Sequence, residues 1–192
     1  MSHPGAEGRS IDGNPTGWLS AFDRLVTLRD GTGVRLRPIR SEDAPRLIAL
    51  YDRLSADTRY HRFFTLMRRL PPDWARFLAE VDYHTRLALV VESPDDAGSL
   101  IAVARYEPTD QVDVVEVAFV VQDGWQGRGL GTVLFQELLA AAAVNGIRRF
   151  RAWVLAGNRR MLDLIGRLGR VEHRRFEQGV VELTFLADDA TS

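Results

Sequence analysis

The 192-residue sequence contains no cysteine and no lysine. Without cysteine there is no disulfide, no thiolate zinc site and no thiol nucleophile, so an acyl-enzyme through sulfur is excluded. Without lysine all 25 basic residues are arginine, and a phosphate loop that needs its lysine on the phosphates is excluded too. Codon bias accounts for missing lysine without any appeal to function. Long apolar runs are also missing. Nothing approaches the roughly 20 residues of a membrane span, and the N-terminal MSHPGAEGRSIDGNP lacks the apolar centre of a signal peptide. A cytoplasmic protein with no membrane partner is expected. The formal net charge is only −1, which argues against a nucleic-acid partner held on a basic face. His61, His84 and His173 show no metal-ligand spacing, so no metal is expected.

What is present reads as one globular domain with tails. Residues 1–26 are expected to be a disordered tail with a short amphipathic segment, WLSAFDRLVTL, at its end. The domain proper runs over 27–187, and 188–192 form a second tail. GVRLRPI (33–39) alternates as a strand, and SEDAPRLIALYDRLS opens a helix with a serine cap and early acids. DTRYHRFF and DWARFLAEV are two further helical stretches. RLALVVE, LIAVARYE and VDVVEVAFVV are successive strands. After a glycine-rich turn, Leu130, Val133, Leu134 and Leu138 share a helical face as far as Val144, where Asn145 and Gly146 stop it. A strand (RRFRAWVL), a helix (NRRMLDLIGRLG) and a closing hairpin (RVEHRRFE, VVELTFL) complete the order. That order predicts an α/β fold with a mixed sheet and helices on both faces.

The turn itself, in VAFVVQDGWQGRGLGTVLF (117–135), holds four glycines. Glycine there contributes no packing, so a cluster of them means that backbone N–H groups must approach something a Cβ would block. A helix follows at once, and its N-terminus favours a phosphate. A dinucleotide fingerprint fails in detail: Thr132 stands where the third glycine belongs, and no acid closes the next strand.

QGRGLG (126–131) resembles the pyrophosphate loop of the GNAT family, the Gcn5-related N-acetyltransferases, and the order of elements from about residue 27 to 186 is similar to that family's. The resemblance implies a mostly antiparallel, seven-stranded sheet and acetyl-CoA as acyl donor. It places the pyrophosphate on the N–H groups of Gln126, Gly127, Arg128, Gly129, Leu130, Gly131 and Thr132. It places the pantetheine arm along Phe119, Val120 and Val121, with Asn158 against it. An N-cap role explains Asn158 equally well.

Acyl transfer to an amine needs a base, because an alkylamine has a pKa of about 10.4 and is protonated at neutral pH. Glu116 interrupts an apolar strand beside small Ala118. Glutamates at this place serve as general base in many GNAT enzymes. The family's frequent tyrosine acid falls on Ile165, so the thiolate is expected to take its proton from water. Direct attack in a ternary complex follows, with the oxyanion near the N–H groups of Val120 and Val121. The segment from 28 to 64 is most similar to the bacterial protein-lysine acetyltransferase branch, which implies a protein lysine as acceptor. A small amine, or a non-catalytic acyl-CoA-binding module, remains open beside it. RYHRFFTLMRR mixes arginine and aromatics on the expected substrate side. It suits an acidic protein patch, the cofactor phosphates or a solvated helix. Monomer and homodimer are both compatible with the sequence.

Overall fold

The computed structural model describes residues 17–64 and 67–188. The expected N-terminal tail lies outside them as far as residue 16. A 3-10 turn (Gly17–Phe22) leads into β1 (Arg24–Thr27), which pairs antiparallel with β2 (Gly33–Pro38). The sheet therefore has eight strands where seven were expected. The reason is local. Gly31 takes φ 85°, and the Asp30 carboxylate accepts a hydrogen bond from the Thr32 N–H at 3.0 Å. This Asp-Gly turn folds the second half of the amphipathic segment back as a strand.

The remaining strands are β3 (Leu87–Glu92), β4 (Leu100–Pro108), β5 (Val114–Val121), β6 (Arg149–Leu155), β7 (Gly169–Glu177) and β8 (Val180–Ala187). They lie in the order β1-β2-β3-β4-β5-β6-β8-β7. Among the described residues only β5 and β6 pair in parallel. Helices α1 (Ala44–Arg53), α2 (Ala56–Phe63) and α3 (Pro72–Ala79) cover one face, over a core that includes Leu50, Tyr51, Val90 and Val120. Helices α4 (Leu130–Val144) and α5 (Arg159–Leu168) cover the other, over Leu134, Phe135, Phe150 and Phe185. With both faces covered, β3 reads as an almost unbroken apolar run rather than an alternating one. Among the described residues no helix is long and apolar enough to cross a membrane.

A charged group is sealed inside the domain. Arg37 and Asp43 are 1% and 0% exposed, joined by two hydrogen bonds of 2.7 and 2.9 Å. The Arg37 Nε donates to Glu92 at 2.7 Å. Asp43 also accepts from the Arg40 N–H at 2.8 Å and from Arg46 at 3.0 Å. This network fixes the start of α1 to β2 and β3.

One irregularity of the sheet positions the site. β5 and β6 pair only over Val114, Val115 and Glu116 against Arg149, Phe150 and Arg151. Beyond them β5 continues along β4 to Val121, while β6 continues along β8 to Leu155. The two strands part after Glu116, and their C-terminal ends open a crevice. In open sheets this is where ligands enter.

Candidate active site

The crevice has a volume of about 1380 Å³, with β5 as its floor and α2, α5 and the glycine turn as its walls. Residues 116, 118 and 120 of β5 point toward α1–α3, and residues 115, 117 and 121 pack under α4. Glu116 is half-buried and makes no hydrogen bond or ion pair among the described residues. Ala118, the next residue on its face, leaves space above the strand. Phe119 and Phe135 stack with ring centroids 5.3 Å apart, so Phe119 both lines the crevice and closes the core behind it.

At the end of β5 a short 3-10 turn (Asp123–Trp125) leads into the glycine loop. Gly127 and Gly129 take φ 79° and 88°, a region that a side chain would strain. A Cβ on Gly129 would also come within 3.0 Å of the Arg29 side chain. The loop is tied down on both sides. The Arg29 N–H donates to the Arg128 carbonyl at 3.3 Å, and Gln126 Nε2 donates to the Val121 carbonyl at 3.0 Å. Helix α4 then begins with no side-chain cap and no acid in its first turn. The Thr132 and Val133 N–H groups turn in to the Gly129 carbonyl, both at 3.1 Å, which leaves those of Leu130 and Gly131 without a partner among the described residues and, with the positive dipole end, available to an anion. Bare backbone, a cradle that a Cβ would fill, and an uncapped helix start fit the pyrophosphate of acetyl-CoA.

The α2 wall is bolted to this loop. Asp123 accepts hydrogen bonds from the Ser55 hydroxyl at 2.6 Å, the Ser55 N–H at 2.9 Å and the Thr58 hydroxyl at 2.7 Å. Burial pushes the Asp123 carboxyl up, but the Ser55 and Thr58 hydrogen bonds outweigh it and hold it below the usual carboxylate range. On the opposite wall Asn158 caps α5, accepting from the Met161 N–H at 3.3 Å through Oδ1. Asn158 lines the crevice as well. The cap and the cleft position coexist in one side chain. Ile165, at the place of the family's tyrosine, is fully buried and lines the same wall.

Most of the residues singled out in the sequence meet here: Glu116, Phe119, Val120, Val121, Gln126, Gly127, Gly129, Gly131, Thr132 and Asn158 all line the crevice. The side chains of Arg128 and Leu130 do not. Arg128 turns outward to Asp30 at 3.6 Å and over the Trp125 ring at 4.7 Å, and Leu130 is 1% exposed in the core. Only their main-chain groups belong to the loop. Ser55, Thr58 and Arg29 were not singled out, and Arg62 was read only among the arginines of RYHRFFTLMRR; all four face the crevice. The Ser-x-x-Thr capping pattern at 55–58 was a usable signal for α2. Its partner Asp123 lies 68 positions from Ser55 and was not. Among the described residues no three His, Asp or Glu side chains gather as a metal site.

Comparison with known proteins agrees with this geometry. A family profile described as an acetyltransferase (GNAT) domain matches residues 34–171. An acetyltransferase of Pseudomonas aeruginosa is 35% identical over 159 residues, 82% of this chain and 82% of its own length. The acetyltransferase Pat of Mycolicibacterium smegmatis is 35% identical over 157 residues, 81% of this chain. The match takes in only 46% of that relative. The crystal structure of the GNAT domain of S. lividans PAT superposes with a TM-score of 0.78 at 35% identity, covering 87% of this chain and 98% of that one. Sheet, crevice, glycine loop and relatives agree, and the chain belongs to the GNAT family of acetyltransferases, whose acyl donor is acetyl-CoA.

Proposed function

We propose that this acetyltransferase acts on lysine side chains of proteins, by direct attack of the amine on the thioester, with Glu116 as general base. The observation that carries the base assignment is a half-buried carboxylate, without a partner among the described residues, at the point where β5 and β6 part. Glu116 takes a proton from the ammonium, the neutral nitrogen bonds to the acetyl carbonyl carbon, and a second proton leaves that nitrogen to water. The carbon–sulfur bond then breaks, and the thiolate takes a proton from water, since Ile165 has none to give. Main-chain N–H groups near Val120 and Val121 hold the oxyanion. The 35% identity to relatives named Pat and PAT supports protein lysine as acceptor.

The test is incubation of the purified chain with labelled acetyl-CoA and a dialysed lysate. Label should enter lysine side chains of proteins. Glu116→Gln should lower turnover about 10²-fold or more, with acetyl-CoA affinity little changed and partial rescue at high pH. Label confined to small amines would overturn the acceptor. Full turnover in Glu116→Gln would overturn the base.

A further inference from the structure

Three guanidinium groups, those of Arg62, Arg86 and Arg105, cluster with two carboxylates, Glu107 and Glu116, beside the crevice floor. Glu107 pairs directly with Glu116 across β4 and β5, so both point to the α1–α3 side of the sheet. Glu107 is fully engaged. It accepts from Arg86 Nε at 2.5 Å and from Arg105 Nε at 2.8 Å. Arg105 is 3% exposed and gives its remaining nitrogen to the Leu78 carbonyl at 3.1 Å. These groups saturate one another and are structural.

Arg62 differs from them. It projects from α2 into the crevice, half-buried. Its guanidinium packs over the Phe63 ring at 4.8 Å but meets no hydrogen-bond acceptor and no carboxylate within 4 Å among the described residues. Burial pushes it down to about 10, with Arg105 adding to the effect and Glu116 and Glu107 opposing it. A desolvated cation without a partner is costly to hold. Glu116 stands within its field and is equally unpaired. Arg62 and Glu116 thus stand on facing elements of the crevice, both without a partner among the described residues.

We propose that Arg62 is a specificity-determining residue that binds a carboxylate on the acceptor, carried by an acidic side chain next to the target lysine. The amine goes to Glu116 and the neighbouring carboxylate to Arg62, so the acceptor completes both pairs at once. This rests on the assignment of Glu116 as the base for a protein lysine.

The test uses the intact chain, acetyl-CoA and a library of capped pentapeptides with a central lysine and varied neighbours, products being identified by mass spectrometry. Acetylated products should be enriched in Asp or Glu beside the lysine, and kcat/KM should favour a Glu-flanked peptide over its Gln counterpart by about 10-fold or more, through KM. Arg62→Gln should bring the ratio between the two peptides to about one, and Arg62→Lys should keep part of the preference. A wild-type ratio near one, or an equal loss on both peptides in Arg62→Gln, would overturn the proposal. Free amino acids form a second arm. If their α-amines are acetylated while no peptide is, and Arg62→Gln abolishes this, the carboxylate contact stands and the protein-lysine acceptor falls. Glu116→Gln, run in parallel, reports separately on the base.

Discussion

Gly131→Ala separates what the glycine loop does for the fold from what it does for the ligand. In the free protein the new Cβ would meet only Val121 Cγ2 at 3.9 Å, an ordinary contact. The backbone there has no positive φ to strain it. Alanine for glycine in a helix gains up to about 1 kcal/mol, and less in a first turn. The unliganded variant should therefore melt between zero and about 3 °C above wild type. Acetyl-CoA binding should move the other way. Gly131 lines the crevice at the start of α4, and on the proposed placement of the pyrophosphate its Cβ would crowd the phosphates. Losing one charge-assisted hydrogen bond costs about 1.5–3 kcal/mol, a loss of roughly 10- to 150-fold in affinity. Thermal melts without ligand and calorimetric titration with acetyl-CoA measure the two effects independently. Unchanged affinity would refute the placement of the pyrophosphate. Affinity lost together with a fall in melting temperature would show that the Cβ damages the loop instead.

Gly129→Ala should behave differently, because φ 88° and the 3.0 Å approach to Arg29 penalise a Cβ in the free protein itself. A cost of about 1–2 kcal/mol predicts a melting temperature roughly 2–8 °C lower; a melt equal to wild type would contradict the loop geometry. Asp43→Ala leaves Arg37 buried with one carboxylate fewer, which should cost about 3–5 kcal/mol and lower the melting temperature by roughly 6–20 °C. Burial pushes the Asp43 carboxyl up, but hydrogen bonds from Arg37 and the Arg40 N–H outweigh it and hold it below the usual range. Its contribution is therefore present in full above a pH of about 4 and lost as pH falls through the folded-state value. Denaturant titrations across that window should show a smaller acid-dependent loss in Asp43→Ala than in wild type.

The parts of the fold written in short stretches were legible. Helix α4 ends at Val144 as its spacing indicates, because Asn145 and Gly146 act locally. The glycine loop was legible for the same reason, since its φ values need glycine whatever surrounds it. β1 was not foreseen, because WLSAFDRLVTL shows an amphipathic pattern without a strand's alternation, and the Asp30–Gly31 turn that pairs it with β2 lies beyond its end. Arg128 and Leu130 share the loop with its glycines, yet the alternation of left-handed and ordinary backbone turns their side chains to solvent and to the core. No periodicity reports that. The α2 wall was the hardest part to foresee. Whether Arg62 is solvated or enclosed depends on β5 and on Glu107 and Arg105, which are remote in sequence.

The hydrogen bonds of Asp123 have a thermodynamic consequence. One carboxylate, at the entry to the loop proposed to bind the acyl donor, also holds the first turn of α2, the helix proposed to meet the acceptor. A displacement of either wall changes the geometry of the other, so the two binding sites share a free-energy term. Such coupling is reciprocal: whatever factor a bound acyl donor contributes to the affinity for the acceptor, the acceptor contributes equally to the affinity for the donor.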